Sequence, residues 1–257
     1  FFLSINFKAN FILVVCSLLF TLYLIEIFLI YQYSHESRLA EKYIKENNVI
    51  FDRRTKKEVY LKLKETDPNA TIAISPANFV NNLSLSESTI YPLSGISNSQ
   101  TLFCNELGYH AIYESDRYGF KNPDKEWDRK DKLEFVFVGD SFTQGACVNV
   151  EDDIPGNIRK FLKENNRNPG VLNFGFRGQG PLGEYALLRE YLSELKTKRV
   201  VLIYFENDLG NLLDEYRQKF LLKYLNDTNY KQDLILKNEE KDKFIRSIVK
   251  KHLENLD

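Results

Sequence analysis

The sequence predicts an α/β fold: a parallel sheet covered on both faces by helices, preceded by one membrane-spanning helix. Two observations predict the sheet. Residues 133–138 (LEFVFV), 171–174 (VLNF) and 200–205 (VVLIYF) are short, largely apolar runs that suit strands buried on both faces. Between them lie amphipathic helical segments, and strand–helix alternation of this kind marks parallel βαβ units. The third observation is residues 11–33, FILVVCSLLFTLYLIEIFLIYQY, an apolar run whose one charge is Glu26.

Composition sets the outer bounds. The chain has 257 residues with 35 Lys+Arg against 36 Asp+Glu, a formal net charge of −1. A nucleic-acid binder usually carries a basic surplus, so no nucleic-acid partner is expected. At 43% hydrophobic and 28% charged residues, the chain is too apolar to be disordered. Three Cys are too few for a disulfide scaffold. The chain begins at Phe1 and contains no Met, so a missing natural start is expected, with a processed mature chain as the alternative.

Residues 1–10 form a short tail. Residues 11–33 contain no Pro or Gly, so every backbone group can be satisfied within one helix. About 20 apolar residues cross a core of ~30 Å. Glu26 costs roughly 3 kcal/mol at a bilayer centre and less near an interface, and it lies toward the polar end that begins at Gln32 and Ser34. Tyr23, Tyr31 and Tyr33 suit an interfacial belt. A cleaved signal peptide would have a shorter core and a small-residue cleavage site. The expected arrangement is a single-pass anchor with the short tail inside and the large polar part outside the cytoplasm, in the periplasm.

Residues 34–111 read as an extracytoplasmic connector. Its first part is charge-rich with some helical spacing. From residue 67 to residue 105 it turns rich in Ser, Asn and Pro, which predicts loops and short extended pieces. Residues 112–257 are the expected domain. Ile154, Ile158, Phe161 and Leu162 share one face of a helix expected over 153–165. Leu187, Leu188, Tyr191, Leu192 and Leu195 share one face of another expected over 184–195. A charged helical insertion follows from about residue 214, with Phe220, Leu221, Tyr224 and Leu225 as an apolar patch. It reads either as a lid or as a solvated excursion.

In a parallel sheet, ligands bind beyond the C-terminal ends of the strands. All three strands end in polar, Gly- or Asn-bearing sequence: GDSFTQG, NFGFRGQGP and ENDLGN. Ser141 follows the first strand, where a hydroxyl can be presented at the sheet edge or can cap the next helix. Its surroundings lack the G-x-S-x-G of a nucleophile elbow. Gly178 sits in a glycine-rich loop where backbone can approach a ligand and donate an N–H. Asn207 offers a side-chain amide, although Asn is also a common turn residue.

Together these residues resemble the SGNH (GDSL) hydrolase superfamily. Gly139-Asp140-Ser141 matches its first block, Asn173 through Gly178 its N-x-x-x-x-G second block, and Glu206-Asn207-Asp208 its third. Phe205 stands where the third block usually has Gly. Residues 115–123, SDRYGFKNP, resemble the lead-in of membrane-anchored bacterial members and read as structural. The resemblance implies a flavodoxin-like three-layer α/β/α sandwich, here incomplete. It implies an ester hydrolase with Ser141 as nucleophile and with Gly178 and Asn207 as oxyanion donors. The implied substrates are acyl esters of carbohydrates or lipids. Glycan O-acetyl transfer by the same Ser chemistry and a non-catalytic glycan-binding module are the alternatives.

The family base is a His in D-x-x-H near the C-terminal end of the domain. The three His here are His35, His110 and His252, and Val249, not Asp, stands three residues before His252. An Asp/His base beyond residue 257 is therefore expected, leaving this fragment inactive; a degenerate binding protein is the alternative. Cys104 and Cys147 both fall on the expected extracytoplasmic side, where a disulfide is permitted, against two free buried thiols. No metal-ligand spacing and no Walker or Rossmann glycine pattern occurs, so neither metal nor cofactor is expected.

Overall fold

The structure, a computed structural model, describes residues 5–46, 50–83, 90–193 and 195–254. The chain divides into two compact units, Phe1–Phe51 and Asp52–Asp257. Among its described residues the first holds one helix, α1 (Ile5–Glu46). Its stretch Phe7–Tyr31 is 25 residues long and exposed throughout, long and apolar enough to cross a membrane. At 1.5 Å per residue it spans ~37 Å. The side chains of Gln32, Tyr33, Ser34 and His35 lie outside the described residues.

The second unit is mixed α/β. It begins with α2 (Lys56–Thr66), which a capping box starts: Glu58 N–H donates to Thr55 Oγ1 at 3.2 Å, and Thr55 N–H donates to Glu58 Oε2 at 2.6 Å. Strand β1 (Thr71–Ile72), helix α3 (Pro76–Leu83), β2 (Gln100–Leu102) and β3 (Ile112–Glu114) follow. They build a small sheet of order β1-β2-β3, parallel at the first pair and antiparallel at the second. Helix α2 lies in the charge-rich part that was expected to have helical spacing, whereas the stretch expected as loops contributes β1, α3 and β2 to the same unit as the residues after it. Its Ser and Asn content conceals Ile72, Ile74, Phe79, Ile96 and Leu102, which form one buried cluster with Phe176.

The second sheet has order β5-β4-β6 and is parallel throughout. Its strands are β4 (Leu133–Gly139), β5 (Gly170–Gly175) and β6 (Thr197–Ile203). Alternate residues of β4 point to opposite faces, as strand geometry requires. Val136 and Val138 join a core with Leu182, Leu187, Tyr191, Leu221 and Tyr224. Phe137 packs with Val171 and with Leu162 of α5 (Ile154–Glu164), the helix expected over 153–165, with Phe135, Ile158, Val201 and Ile203 around them. Glu134, the charge inside this strand, is neutralised by Lys198 and Arg199 at the start of β6, at 3.0 and 2.5 Å.

Three further expectations change. Strand β6 is not buried on both faces: it lies at an edge of the three-stranded sheet, and Val200 and Leu202 are 42% and 60% exposed. The helix expected over 184–195 begins earlier, as α6 (Pro181–Leu187), and continues as a π-helical turn through Leu192. The carboxylate of Glu215 explains the early start. It accepts N–H groups from Gly180, Leu182 and Gly183 at 2.7, 3.0 and 3.1 Å, capping a helix that has no side-chain cap of its own. Finally, the charged tail is packed onto the unit. It forms α7 (Asp208–Glu215), α8 (Lys219–Asn226) and α9 (Asn238–Glu254), with Leu221, Tyr224, Ile245 and Ile248 fully or nearly buried.

Candidate active site

The three sequence blocks meet at the C-terminal ends of β4, β5 and β6. After β4 the chain turns at Gly139 into the four-residue helix α4 (Ser141–Gln144). A Cβ at Gly139 would lie 2.1 Å from Thr143 Oγ1 and 2.7 Å from the Ile203 carbonyl, so no larger residue fits between the strand end and this turn. Asp140 caps the turn, its Oδ1 accepting from Phe142 N–H at 2.9 Å. Ser141 is half-buried.

Asp140 also gathers the other side chains. Asn207, at the start of α7, donates from Nδ2 to Asp140 Oδ2 at 3.1 Å, and Ser141 Oγ donates to the same oxygen at 3.5 Å. Asp140 itself is 1% exposed. The first and third blocks thus share one carboxylate across adjacent strands. Phe205 lies with its ring 4.1 Å from that of Phe142, and both rings face solvent beside the site.

The second block reaches the site through Gln144. Its buried Oε1 accepts from Arg177 N–H at 2.9 Å, which ties the loop after β5 to the Ser141 turn. Gly178 follows with φ +69°, a left-handed conformation that only Gly adopts without strain. It is exposed and lines a cavity of about 380 Å³ with Ser75, Pro76, Tyr91 and Asn211. A Gly178→Ala chain is expected to lose about 1–2 kcal/mol of stability, because the Cβ has room (3.5 Å to Ser75 Cβ) and only the backbone is strained. Chemical denaturation of the two chains measures it.

The lead-in over 115–123 holds this scaffold in place. Asp116 is fully buried and accepts from Tyr118 N–H, Phe120 N–H, Asn122 Nδ2 and Trp127 Nε1, at 2.9, 2.9, 2.9 and 2.7 Å. Burial pushes its carboxyl upward against those four donors. Asn122 then brackets β5: its Nδ2 donates to the Asn173 carbonyl at 3.0 Å and its Oδ1 accepts from Asn173 N–H at 2.7 Å. Lys121, also fully buried, donates to the carbonyls of Gly145 and Val148 at 2.9 and 2.8 Å and pairs with Asp153 at 3.2 Å. It fixes the loop that leaves α4. The same loop carries Cys147, bonded to Cys104 with Cα atoms 4.9 Å apart. Glu106 lies near both sulfurs, but the disulfide leaves neither as a thiolate for a metal.

Behind the site sits Glu184, 4% exposed, whose Oε1 has no hydrogen-bond partner among the described residues. Burial first, then the charges of Asp208, Glu215 and Asp140, push its carboxyl up to about 8. Sequence pattern gave no sign of this group, since it reads as an ordinary first-turn helix acid.

Two histidine side chains are described in this unit, and neither hydrogen-bonds Ser141. His110 Nε2 donates to the Arg54 carbonyl at 3.0 Å, and His252 lies on α9. Among the described residues, Asp140 is the hydrogen-bond partner of Ser141 Oγ. No family model, no curated protein and no solved structure matches the chain.

Proposed function

We propose that this chain belongs to a membrane-anchored SGNH-type ester hydrolase or acyltransferase, acting outside the cytoplasm on acyl groups of carbohydrates or lipids. The observation that carries the reading is the convergence of Ser141 and Asn207 on the Asp140 carboxylate at the ends of two adjacent parallel strands. Helical side chains against both faces of those strands support the accompanying flavodoxin-like three-layer sandwich. The apolar stretch Phe7–Tyr31 supports the anchor.

In this reading Ser141 Oγ attacks the ester carbonyl carbon and the carbonyl oxygen becomes an oxyanion. The Asn207 amide has two N–H groups. One is held by Asp140, which orients the amide and leaves the second for the oxyanion. The N–H of Gly178, and that of Ser141 itself, are the backbone donors. The alcohol leaves, and water or a sugar hydroxyl then takes the acyl group from Ser141. A base must accept the Ser141 proton, and in the superfamily this chain resembles an Asp/His pair does so.

A non-catalytic binding module is the second reading, favoured by the absence of a histidine partner to Ser141 among the described residues. Hydrolysis of an aryl acetate by the protein expressed from its complete gene separates the two. Ser141→Ala is expected to lower turnover at least ~10³-fold. Turnover that survives this substitution removes Ser141 as nucleophile, and no turnover with retained binding of an acylated glycan favours the module.

A further inference from the structure

Away from the strand ends, α2 and α9 wall a cavity of about 460 Å³ whose floor is Ala70 and Thr71 at β1. Its chemistry is divided. Lys57, Lys64, Arg246 and Lys250 line it, against one acid among the described residues, Glu254. They recur at helical spacing, so each helix turns one cationic row toward the cavity. Lys64 and Arg246 hydrogen-bond to uncharged groups. Lys64 Nζ donates to the Pro68 carbonyl, and Arg246 donates to the Asn69 carbonyl and to Ser99 Oγ at 3.2 and 3.1 Å. Those bonds hold the cations in place without cancelling their charge.

The interior is apolar. Leu61, 54% exposed, Val249 and Leu253 line it between the charged rows, with Tyr60 beneath Lys64 at 5.9 Å. At the floor, Thr71 is 2% exposed and its Oγ1 has no hydrogen-bond partner among the described residues.

We propose that this cavity binds a phosphate-bearing amphiphile. The phosphate sits among the lysine and arginine side chains, which as fixed cations hold a phosphate by charge and hydrogen bonds. The apolar body lies along Leu61, Val249 and Leu253. A bare anion would leave the apolar walls wet, and an uncharged lipid would leave Lys64 and Arg246 without a counter-charge.

The test uses the full chain in phosphatidylcholine nanodiscs, titrated calorimetrically with soluble dihexanoyl phosphatidic acid. Dihexanoyl phosphatidylcholine and inorganic phosphate are the comparisons. The phosphatidic acid is expected to bind at least tenfold more tightly than either. A Lys64→Gln, Lys250→Gln double variant is expected to weaken it at least tenfold, and Leu61→Ser severalfold, with Trp127 emission unchanged as the check on folding. Equal binding of the zwitterionic lipid, inorganic phosphate as tight as the amphiphile, or affinity unmoved in the double variant overturns the proposal.

Discussion

Replacing Asp116 by Ala is expected to cost about 3–5 kcal/mol of stability. The carboxylate is 0% exposed and receives four hydrogen bonds. Its removal strands two backbone N–H groups, the Asn122 amide and the Trp127 indole in the interior. The damage does not stay local, because Asn122 clamps β5 through both its amide atoms. Trp127, the single Trp of the chain, donates directly to Asp116, so its emission reports the loss. Denaturant midpoints for Asp116→Ala and for a surface control, Asp214→Ala, measure the effect; the control is expected within about 0.5 kcal/mol of the parent. An Asp116→Ala loss below about 1 kcal/mol would contradict the network's role.

The second large effect is a pH dependence centred on Glu184. Its carboxyl is raised from the ordinary 4.5 to about 8, chiefly by burial. Between those two values the folded protein holds a proton that the unfolded chain has released. Stability from this group therefore falls as pH rises from about 4.5 through about 8, and is unchanged below that window. The full shift corresponds to at most ~5 kcal/mol. Glu184→Gln is expected to flatten this decline and to be more stable than the parent by about 2–4 kcal/mol near pH 9. The neutral amide stays uncharged where the parent must bury an anion beside Asp208, Glu215 and Asp140. Denaturation midpoints of both chains between about pH 5 and pH 9 test this, and parallel profiles would refute it.

Much of the site's layout was legible in the residues. Apolar strands 133–138 and 171–174 reappear as β4 and β5 because their side chains have buried partners on both faces. Ser141 and Asn207 were read as strand-end residues, and the parallel register places those ends side by side. The Cys104–Cys147 pairing was an expectation and the bond is present. Three features escaped the pattern. The start of α6 depends on Glu215, more than thirty residues away in sequence, so no local cap marked it. The 67–105 stretch looked irregular because its strands are two and three residues long, too short for a periodicity to register. The apolar run at 200–205 carries no mark of an edge strand, since composition does not tell which flank a strand takes in a sheet.

By itself, the sequence determined the local elements and the chemistry brought to each strand end. Backbone propensity, side-chain period and capping residues act over a few positions, so the α1 apolar stretch, the Thr55 capping box and the Ser141 and Asn207 turns follow from near neighbours. Tertiary structure alone decided what holds those turns together. The Asp140 carboxylate joins Ser141 to a residue 67 positions away from it, and Gln144 meets a loop 33 positions on. Buried Asp116, Lys121 and Glu184 have properties set by the surrounding protein: loss of water raises or lowers the cost of a charge only once the chain has closed around it.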